Sequence, residues 1–168
     1  AGDIAPQGKV DVVVALHACD TATDDALHAA VRGGARAIVA APCCHKQLRP
    51  QLERHRKGSE ADVALQAILR HGVLADRHAE AVTDAMRCLA LECVGYEARM
   101  VEWAPLDHTA KNTMLVATRA PAPIDAAERL RALAAFHGVA RQRLCGLLGL
   151  ELPGDEASPA AARGRMPE

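Results

Sequence analysis

Two apolar runs lie close together near the start of the chain. Val10, Val12, Val13, Val14, Ala15 and Leu16 form the first, and Ala37, Ile38, Val39, Ala40 and Ala41 the second. Neither alternates with polar residues, which is the pattern of strands buried on both faces of a parallel sheet. Between them, Asp20 or Thr21 can cap a helix that runs through Asp24, Asp25, Ala26, Leu27, Ala30 and Val31 and stops at Gly33-Gly34. The three together make a right-handed strand-helix-strand unit. Both strands then point the same way. The polar clusters that follow them, Leu16-His17-Ala18-Cys19-Asp20 and Pro42-Cys43-Cys44-His45-Lys46, are thereby expected side by side at the carboxyl edge of the sheet, where open α/β folds hold their ligands.

Beyond the second cluster, 47–59 is basic and interrupted by Pro50 and Gly58, so it reads as a mobile loop with at most a helical turn. Ser59-Glu60-Ala61-Asp62 opens a short helix through Val63, Ala67, Ile68 and Leu69 that Gly72 ends. A longer helix spans 76–94, with Ala79, Val82, Met86, Leu89, Ala90 and Cys93 on one face and Gly95 at its close. The alternation over 97–103 and the apolar run over 113–118 predict two more strands. The connection through 105–111 is too short for a crossover helix, so these two strands should form an antiparallel hairpin added to the parallel part. Helical periodicity returns over 125–150 with a break near Gly138, and 151–168 reads as a Pro/Ala/Gly-rich disordered tail.

Composition narrows the function classes. In 168 residues only Tyr96, Trp103 and Phe136 are aromatic, and the formal net charge is -1. Both facts weigh against a domain that binds nucleic acid unaided, which needs stacking platforms or a basic excess. No apolar run is long enough to span a membrane, and no signal peptide is visible. Six cysteines include the vicinal pair Cys43-Cys44 and two in a helical pattern, Cys88 and Cys93, so a reduced, cytoplasmic protein is expected rather than a disulfide framework. The chain starts at Ala1 and leads straight into a buried strand, which suggests a fragment.

The chemistry-bearing residues sit in the two clusters and the hairpin loop. Asp20 is a candidate base or substrate contact, against the plain alternative of a helix N-cap. His17 and Cys19 have interior packing as their plain alternative. Two thiols, an imidazole and an ammonium at one strand end leave three readings: a substrate-shaping loop with His45 as proton acceptor, a redox thiol pair, or zinc. The zinc set would draw on Cys43 or Cys44, His45, Cys19 and His17 or His108, although adjacent cysteines seldom both reach one tetrahedral ion.

Ala15 to Asp24, Ala41 to Lys46 and His108-Thr109-Ala110-Lys111-Asn112 together carry a signature of the form LHACDxATD…PCCHK…HTxKN. With the element order, this resembles a branch of the class I S-adenosylmethionine-dependent methyltransferases, related to the tRNA 2′-O-methyltransferases of the acceptor stem. The resemblance covers about Val10 to Thr118. It implies a partial Rossmann-like α/β fold: 1–120 as the C-terminal half of a methyltransferase domain, 121–150 as a helical extension, and the family's N-terminal half expected upstream. It implies methyl transfer from S-adenosylmethionine to an oxygen or nitrogen acceptor, RNA among the candidates, with Asp20 and His45 catalytic. His17, Ala18 and Cys19 would face the cofactor. Pro42, Cys43, Cys44, Lys46, Arg49, His108, Lys111 and Asn112 would face the substrate. The family's glycine-rich turn is not in this sequence, so this chain alone is expected to be inactive and to bind the cofactor weakly. The rival reading is a non-enzymatic zinc-binding or interaction module built on Cys43, Cys44 and His45.

Overall fold

The computed structural model describes residues 10–58, 63–103 and 112–154. Strand β1 (Val12–Leu16), helix α1 (Thr21–Arg32) and strand β2 (Ala37–Ala41) form the expected unit, with β1 and β2 parallel and paired from Val12↔Ala37 to Leu16↔Ala41. After them come α2 (Arg49–Gly58), α3 (Val63–Leu69), α4 (Gly72–Cys93), β3 (Tyr96–Glu102), β4 (Thr113–Arg119), α5 (Ala126–Phe136) and α6 (Arg143–Leu147). The sheet order is β1-β2-β4-β3, with β4 antiparallel to both neighbours. The hairpin is therefore present, and its second strand is the one that joins the parallel pair. This is a mixed α/β fold consistent with a partial Rossmann-like architecture.

The period of two along each strand decides what lies inside. Ile38, Ala40, Leu115, Ala117 and Tyr96 are fully buried on one face, and the buried residues of the helices, Leu27, Ala30, Met86, Leu91, Leu130 and Leu144 among them, close over it. Each fully buried Leu, Ile or Met contributes roughly 1.5–3 kcal/mol of transfer free energy. The other face behaves differently. Val12, Val14 and Leu16 are 53–59% exposed there. The expectation of β1 buried on both faces is thus corrected: its continuous apolar run covers an inner face and an outer one, and among the described residues no helix packs on the outer one.

Two other elements differ from the expectation for identifiable reasons. The stretch after the second cluster is a helix, α2, not a loop. Pro50 falls in its first turn, where a missing N–H costs nothing, and Leu48 and Leu52, one turn apart, anchor it in the core. Gly72 begins α4 rather than ending α3, so the long helix starts a turn earlier than its apolar face suggested. The expected cap at 59–62, the hairpin connection through 105–111 and the tail from 155 lie outside the described residues. Leu152, the second residue of the expected tail, is buried against the core. No helix among the described residues is long and apolar enough to cross a membrane.

Candidate functional site at the carboxyl edge of the sheet

The loop after β1 is held in an unusual backbone. His17 has φ 59 and Asp20 φ 52, ψ -121, a left-handed geometry that non-glycine residues adopt only under constraint and that clusters at functional sites. The constraint is visible. Thr23 Oγ1 donates to the Ala18 carbonyl at 2.6 Å, and Arg87 Nη2 donates to the Asp20 carbonyl at 2.8 Å. Asp20 does not cap α1 with its side chain. Its Oδ1 instead accepts the backbone N–H of Lys46 at 2.9 Å and of Gln47 at 3.0 Å, tying the first cluster to the second. Its Oδ2 has no hydrogen-bond partner among the described residues.

The second cluster splits in two directions. Cys43 and Cys44 turn toward Cys19, with Cys19 Sγ 3.1 Å from Cys43 Sγ and Cys43 Sγ 3.8 Å from Cys44 Sγ. The hydrogen bond to Cys19, then burial and the Cys44 thiol, push the Cys43 pKa up to about 11. His45 turns the other way. Its side chain is 3% exposed, with Nε2 3.0 Å from Asp84 Oδ2 and Nδ1 3.6 Å from Glu80 Oε1 on α4. Behind it, Arg87 is fully buried and donates from Nε and Nη2 to Asp24 and from Nη1 to Asp84, each at 3.0 Å. Burial works against the Arg87 charge, but the Asp24 and Asp84 carboxylates outweigh it and hold its pKa above the ordinary value. Gln142, just before α6, completes the network by donating to Asp24 Oδ1 at 2.7 Å.

The remaining sequence candidates fall as follows. Pro42 is buried at the end of β2, and Lys46 is exposed. Arg49 is paired with Glu53 at 2.9 Å and with Asp76. Asn112 is buried at the start of β4, and its carbonyl accepts the Trp103 N–H at 3.0 Å, so the hairpin connection leaves from this same sheet edge. His108 and Lys111 lie outside the described residues. Asp24, Asp84, Arg87 and Gln142 escaped the sequence reading. Glu80, Asp84 and Arg87 do recur at helical spacing beside the apolar stripe of α4, a signal that a polar group is carried inward.

The residues that could line one side of a cofactor, His17, Ala18 and Cys19, are exposed or half-exposed at the end of β1. A cleft of about 290 Å³ lies elsewhere, between Gln47 and α6, lined by Arg141, Gln142, Arg143 and Leu150. In open α/β sheets, polar loops at the carboxyl ends of adjacent parallel strands form the edge at which ligands are held. Residues 3–51, which hold β1, α1, β2 and both clusters, match the model of a family described as a methyltransferase domain. No curated protein and no solved structure matches the chain.

Proposed function

We propose that these residues serve S-adenosylmethionine-dependent methyl transfer to an oxygen or nitrogen acceptor. One observation carries the reading: the segment matched by the methyltransferase family model is the segment whose two polar loops are bridged by Asp20 at the carboxyl edge. When bound, the cofactor supplies an activated methyl group. The work left to the chain is to align the acceptor, exclude water and take up the acceptor's proton. In this reading Asp20 has two roles: Oδ1 holds the loop at Lys46 and Gln47, and Oδ2 is available to the acceptor's proton. His45, braced by Asp84, positions the Pro42–Lys46 turn on which the acceptor rests. Exposed Lys46 faces the acceptor, His108, Lys111 and Asn112 are the further acceptor contacts that the resemblance implies, and RNA is the acceptor class it favours. His17, Ala18 and Cys19 line the cofactor side.

The test is made on the intact protein, assayed for transfer of a labelled methyl group. Asp20→Asn keeps an oxygen for both N–H groups and loses the proton acceptor, so turnover should fall about 10²-fold or more with melting temperature and cofactor affinity little changed. Asp20→Ala should lose turnover and loop order together. Normal turnover in Asp20→Asn would end the assignment. For the 168 residues alone, calorimetry should show weak cofactor binding, and micromolar affinity would overturn the expectation that a glycine-rich turn must be supplied from elsewhere.

A further inference from the structure

Three thiols meet at this edge: Cys19 from the loop after β1, and Cys43 and Cys44 from the turn after β2, with their sulfurs all within 4.8 Å of one another. We propose that they form a site for one Zn²⁺ ion, bound by three thiolates with a fourth position open to solvent. Distances decide its feasibility. Zinc–sulfur bonds of about 2.3 Å set the sulfur–sulfur edge of a tetrahedral site at roughly 3.8 Å. Cys43 and Cys44 are already 3.8 Å apart, and Cys19 is 3.1 Å from Cys43. No sulfur needs to move by more than about 1 Å to reach that geometry.

Vicinal cysteines ordinarily point apart, which is why a shared ion is improbable from sequence spacing. Here the turn after β2 brings both sulfurs to the same side, and the Asp20 bridge to Lys46 and Gln47 holds the loop that carries Cys19 against them. His45 does not belong to the set. Its ring is buried and its Nε2 is 3.0 Å from Asp84, so the ligands are Cys19, Cys43 and Cys44 rather than Cys43, Cys44 and His45. Cys19 is exposed and the other two half-exposed, which supplies an entry path and the open coordination position. All-thiolate ligation selects a soft or borderline ion over Mg²⁺ or Ca²⁺. The inference rests on these distances and not on methyl transfer; with the ion bound, Cys19 faces the metal and His17 and Ala18 remain on the cofactor side.

The 168-residue chain, stripped of metal and kept reduced with a phosphine, is titrated with Zn²⁺ against a chromophoric chelator, and in parallel with Co²⁺. The expected result is one Zn²⁺ per chain and a thiolate-to-cobalt charge-transfer band. Cys19→Ser, Cys43→Ser and Cys44→Ser should each weaken binding by more than the roughly 10–100-fold that loss of an outer-shell partner costs, and each should diminish the band. Cys93→Ser should change neither. Absence of stoichiometric uptake, undiminished affinity in Cys43→Ser, or loss of affinity in Cys93→Ser would overturn the site.

Discussion

At the residue scale the chain uses the same side-chain types in opposite ways. Cys19, Cys43 and Cys44 gather at the sheet edge, whereas Cys88 and Cys145 are buried packing residues whose pKa values burial pushes up to about 12. Only the thiolate is nucleophilic, so these two should resist iodoacetamide in the folded chain at pH 8 and become labelled on unfolding, as peptide mass spectrometry can read. The linkage has a definite sign. A thiol whose folded pKa is raised above 9.0 adds stability that is present in full below that value and is lost as pH climbs through 9 toward 12. Urea midpoints should therefore hold steady to about pH 8.5 and fall beyond it, and Cys145→Ala should flatten that alkaline decline. An unchanged slope in the variant would show that other groups cause it.

At the element scale the site is organised from behind by α4. Arg87 on α4 ties α1 through Asp24, the β1 loop through the Asp20 carbonyl, and the β2 turn through Asp84 and His45. Breaking a buried ion pair by removing one partner leaves charge without compensation, at a cost of about 3–5 kcal/mol. Arg87→Met should lower stability by that much in urea unfolding, and a loss under 1 kcal/mol would show that the network is dispensable. A second case is the join between α5 and the segment leading to α6. Gly138 has φ 62, and a Cβ there would stand 2.3 Å from the His55 ring. Gly138→Ala should cost about 1–2 kcal/mol from backbone geometry alone, more from the clash. Adding His55→Ala should return the clash portion and leave the backbone portion.

At the scale of the whole molecule the sheet has one face covered by helices and one that, among the described residues, no helix covers. β1 stands at the end of the strand order, and Val12, Val14 and Leu16 are all more than half exposed on its outer side. An edge strand with an apolar face is a template for association. The 168-residue chain should accordingly dimerise or aggregate with rising concentration in sedimentation velocity, and Val14→Lys should shift it toward monomer. A concentration-independent monomer for the unsubstituted chain would count against this. The C-terminal helices belong to the covered side, since α6 packs on α1, α5 packs on α4, and Gln142 reaches Asp24.

What the sequence determined by itself was local and periodic. The two apolar runs, the glycine-stopped helix between them and the short hairpin connection were enough to set β1, α1, β2 and the antiparallel pair, and so to bring both polar clusters to one edge. These signals act within a few residues, through steric preference and hydrogen-bond period, and they survive in any context. Tertiary structure alone decided the rest. A continuous apolar run cannot say whether both faces of its strand are covered, because that depends on what packs there. Asp20 has the chemistry of a cap, and only the approach of the Lys46 and Gln47 amides gave its carboxylate a better use. Cys43-Cys44-His45 is one motif in sequence, but the carboxylates of α4 draw the imidazole inward while Cys19 draws the thiols outward. Those partners lie 24 to 39 residues away in the chain, beyond the reach of any local pattern.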